Sequence, residues 1–364
     1  NSGDLNKRFV FDVNGRITEQ GQKNSSTFLV PKHSVLVGLA GQGKTRGTVA
    51  INEIDLCINQ SIAAIMPKTS DVYYLFLFYN LDSRYGELRK ISAGDGGRGG
   101  LNLSIIGNID VLLPTFGEQK EIATILSTWD RAIERVQRLI EAKQRQKRGL
   151  MQGLLTGKLR FPEFGKPASD KVIPEGWKAV EFHDCATRTK KKIDPISNEF
   201  NFRCVELEHI SQETGKIIGE TESKQQTSSK NYFRPGNVLF GKLRPYLHKF
   251  AYCDFEGVCS SEIWVLQNKS ICTSRYLFYL IQTDTFLSAS VQTTGTKMPR
   301  SDWNVVSKAK FALPPLIEQE RITYLLDQVE LNIELLERYV QQLNEQKKGL
   351  MQKLLTGKIR VKVD

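Results

Sequence analysis

One block of this chain occurs twice, and the interval between the copies is fixed to the residue. Residues 149–160 read GLMQGLLTGKLR, and residues 349–360 read GLMQKLLTGKIR. Upstream of each lies Pro-x-x-x-Glu-Gln, at Pro114, Glu118 and Gln119 and again at Pro314, Glu318 and Gln319, so the offset is 200 residues at both ends of the block. Within it no residue has been gained or lost. A structural spacer requires such spacing, because one inserted residue would rotate every side chain behind it. The segments between the copies match only in outline. The chain therefore combines constant struts with variable modules.

The struts read as helices with an apolar seam. In the first copy the seam is Ile122, Leu126, Trp129, Ile133, Val136 and Ile140; in the second it is Ile322, Leu326, Val329, Ile333, Leu336, Val340 and Leu343. Steps of four and three alternate, the 3.5-residue period of a coiled coil. No Pro or Gly interrupts residues 118–148 or 318–348, and Glu134, Arg135, Arg138 and Glu141 supply charge for the outer faces. Each helix is then roughly 45 Å long at about 1.5 Å per residue. Gly149 and Gly349 sit where a helix is expected to end or bend, followed by Leu-rich turns closing at Thr156-Gly157 and Thr356-Gly357. A lone helix of this kind exposes its stripe, so the two copies are expected to pack on each other. With one long module between them, an antiparallel pairing is the easier route and gives an internal pseudo-twofold. The alternative is that each helix docks on its own module as ordinary core.

The modules are rich in short β-type runs with turn signals, the texture of mixed α/β or α+β domains. The expected organisation is a first module over 1–114, a helical spacer over 115–160, a second module over 161–314 and a second spacer over 315–364. Residues 161–174, with four Gly or Pro positions (Pro162, Gly165, Pro167, Pro174), read as the linker into the second module. The module centres correspond: Val35-Leu36-Val37-Gly38 with Val238-Leu239-Phe240-Gly241, Cys57 and Ser61 with Cys259-Ser260-Ser261, and Tyr74-Leu75-Phe76 with Tyr276-Leu277-Phe278, at offsets of 202 to 203. The second module has a longer approach to its first matched strand, including Lys190-Lys191-Lys192. That difference leads to the expectation that the chain starts inside its first module.

Residues 38–45 read GLAGQGKT, a complete match to the phosphate-loop pattern, which would put Lys44 on phosphates and Thr45 on magnesium. Such a loop must open a helix whose N-terminus holds the phosphates. Here Arg46-Gly47 is followed by Thr48-Val49-Ala50-Ile51, a run of β-formers that reads as the return strand of a hairpin. No acidic pair ends an apolar strand to serve as the magnesium partner. At the matching place the second module has Gly241-Lys242-Leu243-Arg244-Pro245-Tyr246, which keeps the basic hairpin and loses the motif.

The hairpin tips instead carry side chains suited to phosphates and base edges: Gln42, Lys44, Thr45 and Arg46 in one, Lys242, Arg244 and Tyr246 in the other. A second loop in each half adds Arg98, and Lys297 with Arg300. The formal charge of +11 and pI near 9.2 favour a polyanionic partner. Six cysteines without a C-x-x-C pair and four scattered histidines argue against a metal site and against a Cys–His nucleophile. The cysteines read as free thiols of a cytosolic protein. No apolar run is long enough to cross a bilayer.

These motifs resemble the specificity subunit of a type I restriction–modification enzyme. The resemblance is carried by Leu313-Pro314-Pro315-Leu316 with Glu318-Gln319 and its weaker copy at Leu113-Pro114 with Glu118-Gln119, by the LLTGK endings at 154–158 and 354–358, and by the strand–hairpin VLVGLAGQGKTRGTVAI. It implies an α+β chain of two target recognition domains joined and spaced by two long antiparallel coiled-coil helices. It also implies a cytoplasmic, non-catalytic subunit that reads a split, asymmetric double-stranded DNA target, one half-site per module, with the helices setting the gap. Two adenine methyltransferase subunits using S-adenosylmethionine and ATP- and magnesium-dependent restriction subunits are the implied partners, gripped by the strut surface. This chain itself is expected to hold no cofactor and no metal. The competing readings are a P-loop nucleotide-binding protein and a coiled-coil adaptor that binds no DNA.

Overall fold

The computed structural model describes every residue except 42–43, 69, 93–99, 170–171, 293–297 and 364. It forms two compact units, one of Asn1–Leu139 with Leu336–Asp364, the other of Ile140–Leu335. The division falls inside two long helices, Phe116–Leu154 and Leu316–Leu354, each of 39 residues. Each unit thus holds one module, the first part of the helix that follows it, and the last part of the other helix.

In the first unit a four-stranded sheet runs in the order Phe9–Val10, Val49–Asn52, Val35–Gly38, Ile62–Ile65. The first pair is parallel and the others are antiparallel. Val35, Val37, Val49 and Ile51 pack on Phe76, Phe78 and Tyr79 of the helix Tyr74–Ser83. Ile122 and Leu126 from the start of one long helix join that cluster, as do Met351, Leu354 and Leu355 from the end of the other.

The second unit repeats the plan and adds to it. Its central sheet runs Phe250–Tyr252, Val238–Gly241, Ile263–Asn268, Ala186–Arg188, antiparallel throughout. Val238, Phe240 and Leu266 pack on Tyr276, Phe278 and Tyr279 of the helix Ser274–Leu280, together with Ile322 and Leu326, and with Leu154 and Leu155. A further five-stranded sheet is built from Thr221–Glu222, Arg203–Val205, Gly257–Cys259, Lys230–Phe233 and Lys192–Ile193. Of the six cysteines, all free, five are buried in this unit.

The predicted seam residues differ in burial along the helices. Ile122 and Leu126, like Ile322 and Leu326, are core of their own module and at most 1% exposed. Ile133, Val329, Ile333 and Leu343 are buried, whereas Trp129, Val136, Ile140, Leu336 and Val340 are half-buried. Within each unit the two helix segments run antiparallel. Glu118 meets Arg360 and Asp130 meets Lys347 in one; Glu318 meets Arg160 and Glu330 meets Lys147 in the other.

One expectation is narrowed and one corrected. Of the end or bend expected at Gly149 and Gly349 the end is excluded, since the helices continue to Leu154 and Leu354. Burial of those leucines and their neighbours Leu155 and Leu355 holds the extra turn. The chain reverses only at Gly157 and Gly357, at φ of 73° and 71°, conformations that favour glycine. The match of Tyr74-Leu75-Phe76 to Tyr276-Leu277-Phe278 is two residues out of register. In the fold Leu77-Phe78-Tyr79 corresponds to Leu277-Phe278-Tyr279, because Tyr79 donates to Asp130 while Tyr279 donates to Asp327 and Glu330. The fixed offset thus begins before the strut, at the helix that docks on it.

Candidate nucleic-acid interface

The strand pairing decides the character of GLAGQGKT. Val35, Leu36 and Val37 pair antiparallel with Ile51, Ala50 and Val49, and residues 39–48 connect them. The Gly38 amide donates to Thr48 O at 2.9 Å, and Gly47 N donates back to Gly38 O at 2.8 Å. A Cβ at Gly38 would lie 2.4 Å from the Thr45 carbonyl oxygen, so that glycine is required for the chain to double back. The Lys44 carbonyl accepts from Thr48 Oγ1 and Tyr85 Oη. After Thr45 the chain makes a turn and enters a strand, so no helix N-terminus stands there to cradle a phosphate.

The second module builds the same hairpin from Val238–Gly241 and Phe250–Tyr252, again closed by a bond from the glycine amide, Gly241 N to Lys249 O at 2.8 Å. Its tip is a 3-10 turn, Pro245–Leu247, flanked by Arg244 and His248 at φ of 51° and 45°. Each left-handed non-glycine residue costs about 1–2 kcal/mol. Pro245 is buried, while Arg244 and Tyr246 are exposed and Lys242 is half-buried.

In the second module residues 299–301, at the end of the second predicted loop, adjoin the hairpin. Leu243 bridges Arg300, Arg244 N donates to Pro299 O at 2.9 Å, and Ser301 N donates to Lys242 O at 2.9 Å. In the first module Leu101 N donates to Leu39 O at 3.3 Å. The described ends of these segments, Leu101 in the first module and residues 299–301 in the second, thus lie beside the hairpins. Gln42, Arg98 and Lys297 lie outside the described residues. Lys44 is exposed, and Thr45 and Arg46 are half-buried. Arg300 is paired: its guanidinium is held by Glu262, at 2.9 and 3.3 Å, which pushes its pKa further up. The pair ties residue 300 to the residue that precedes the strand Ile263–Asn268.

The repeated block has a role the sequence did not reveal. Gln119 Nε2 donates to Asp71 O and Pro114 O, and its Oε1 accepts from Tyr73 N. Gln319 repeats all three bonds with Ile271 O, Pro314 O and Thr273 N. Glu118 accepts from Arg360 Nε and Nη2 and from Val361 N. Glu318 accepts from Arg160 Nε and Nη2 and from Trp177 Nε1. The Glu-Gln motif of one copy thus clasps the terminal Arg of the other. A glutamate recurring at the block's start and an arginine at its end were the available signal. Arg360 holds the Glu118 carboxyl below its ordinary range.

Behind each clasp lies a second polar contact. Tyr79 and Lys347 both donate to Asp130, with Arg8 bridging Asp82 and Asp130. Tyr279 and Lys147 both reach Glu330, with Arg275 on Asp327. Burial pushes the Tyr79 and Tyr279 hydroxyls well up and Lys347 down. Among the described residues, no group of three His, Cys, Asp or Glu is placed to hold a metal ion, and no helix is long and apolar enough to cross a membrane.

Residues 1–144 and 174–345 match the family model of the type I restriction modification DNA specificity domain, one stretch in each half. The chain belongs to the type I restriction–modification specificity-subunit family. Among its relatives is the MjaVIII specificity subunit of Methanocaldococcus jannaschii, 27% identical over 340 residues, covering 89% of this chain and 79% of that protein. The EcoDI specificity subunit of Escherichia coli is 25% identical over 328 residues, covering 82% and 71%. The fold is shared with the S subunit of M. genitalium, at a TM-score of 0.51 and 13% identity over 89% of this chain and 83% of that one. A chain from a structure describing complex assembly and conformational transition of the type I R-M system gives a TM-score of 0.56 at 15% identity, covering 92% and 85%. Specificity subunits of this family select DNA and are not the catalytic component.

Proposed function

We propose that each module of this specificity subunit reads one half of a split, asymmetric double-stranded DNA target. The observation that supports this reading is the backbone bonding of residues 299–301 to Lys242 and Arg244 at the second hairpin tip, with Leu101 bonded to Leu39 beside the first. Lys44, Thr45 and Arg46 serve the first half-site; Lys242, Arg244 and Tyr246 serve the second, with Arg300 buttressing them. Gln42, Arg98 and Lys297 belong to the same proposal. Unequal side chains at the two tips make the half-sites unequal. Two modules on one chain gain affinity from each other by effective concentration.

The seam residues and helical spacers set the unread gap, and the charged faces of the helices hold two adenine methyltransferase subunits and the restriction subunits. S-adenosylmethionine, ATP and magnesium belong to those partners, in a cytoplasmic complex. Selection from random duplex DNA by the chain with its methyltransferase subunits tests the reading. A split motif with two unequal halves and one fixed gap is expected. An intact complex that enriches no sequence would overturn it.

A further inference from the structure

Among the described residues five non-glycine positions have positive φ, and three of them, Glu213, Arg244 and His248, meet at the second module's hairpin tip. Glu213 N donates to His248 O at 3.0 Å, Gln212 bridges Lys249, and His248 Nδ1 stands 3.7 Å from the Glu213 carboxylate. Side chains rarely adopt this conformation, and glycine would satisfy it without strain. The first module's tip does use glycine there, with Gly41 and Gly47 at φ of 130° and 79°. In the second module side chains stand where glycine is the easier choice. The buried Pro245 fixes the turn between two of them, and the Arg244 amide is tied to Pro299 O. The outcome is a rigid turn presenting one exposed guanidinium and one phenol that is 55% exposed. Among the described residues Arg244 has no ion-pair partner, in contrast to Arg300, which Glu262 holds.

Resting on the reading proposed above, we infer that Arg244 is the specificity-determining residue of the second half-site, and that the left-handed backbone at Arg244 and His248 holds its planar fork toward a base edge. A rigidly aimed guanidinium suits bidentate recognition of the two acceptors that guanine displays in the major groove. A phosphate contact needs no such aiming.

The test uses the full chain in complex with its methyltransferase subunits, on the selected target and on duplexes changed at each position of either half-site. Arg244→Gly is expected to raise the unfolding midpoint, since strain is released, while losing discrimination at one position of one half by roughly 5- to 150-fold. Arg244→Lys is expected to keep the salt dependence and lose the same discrimination. His248→Gly, which leaves Arg244 in place, is expected to stabilise the chain and weaken that discrimination in part. Uniform weakening across all sequences in Arg244→Gly, with unchanged base preference, would make Arg244 a phosphate contact and overturn the inference. Unchanged preference in both Arg244 variants would overturn it as well. Lys242→Ala separates this failure from a wider one. If that variant still weakens the second half, the hairpin reads DNA and only the role of Arg244 is wrong; if it too changes nothing, the proposed interface fails.

Discussion

The two clasps are chemically alike but differ in burial, and the difference predicts unequal energetic weight. In Arg160–Glu318 the side chains are 3% and 1% exposed, whereas in Arg360–Glu118 the arginine is 69% exposed. Replacing Arg160 with Met keeps the aliphatic stem and removes two bonds to Glu318, one to Glu175 O and one to Lys166 O. The Glu318 carboxylate then remains buried with only the Trp177 indole N–H. Leaving a buried charge uncompensated costs about 3–5 kcal/mol. At about 1.4 kcal/mol per tenfold, that is roughly two to three and a half orders of magnitude in local opening. Amide hydrogen exchange resolved by peptide is the suitable assay, because a chain of two units need not unfold with one midpoint. Faster exchange is expected in 140–160 and 316–335, with 1–110 unaffected. Adding Glu318→Leu should recover at least half of the loss, since an apolar pair at such a site is often tolerated. Arg360→Met should produce a smaller change, confined to the first unit. The reasoning is refuted if Arg160→Met accelerates exchange less than about tenfold, or if the double variant is no better than the single.

Further expectations concern docking, pH, salt and nucleotide. Gln119→Leu and Gln319→Leu each orphan one amide and two carbonyls, and each should destabilise its own unit by about 1–3 kcal/mol in denaturant titration. Because Arg360 lowers the Glu118 pKa, that pair stabilises the first unit above the ordinary value of 4.5 and ceases to as pH falls through the depressed folded value. Protection from exchange in the first unit, corrected for the intrinsic pH dependence of amide exchange, should therefore fall on acidification below that range, and Arg360→Met should flatten the response. DNA affinity should fall linearly on a log–log salt plot, with Lys242→Ala reducing the slope by about 1. Isothermal titration with ATP should give no binding heat for the isolated chain; a heat abolished by Lys44→Ala would restore the phosphate-loop reading.

The range of the forces involved decided which features the sequence showed and which it hid. The helix that carries Ile122 to Ile140 was legible because helix periodicity is local. The hairpin at Gly38 was legible because β-formers come directly after the Thr45 turn. The partner of Glu118 was not, since Arg360 lies 242 residues away and nothing local distinguishes it from Arg160. The register of Tyr79 was misread because two Tyr-Leu-Phe strings invite a match, whereas the true register is set by Asp130 and Gln119 on another element. Capture of Arg300 by Glu262 was hidden for the same reason, at a separation of 38 residues.

The clasp also imposes an order in time. Synthesis delivers the first module early, yet Lys347, Met351, Leu354 and Arg360, which complete its core and satisfy Asp130 and Glu118, emerge only after the whole of the second unit. Until then Ile122 and Leu126 lack part of their cover, and the Glu118 carboxylate has no arginine. The second module meets Arg160 and Leu154 before its own strands exist, and its core closes as soon as Leu326 is made. The unit begun first is therefore finished after the second. A nascent chain cut short anywhere in the helix Leu316–Leu354 leaves the first unit unsealed, however complete its sheet.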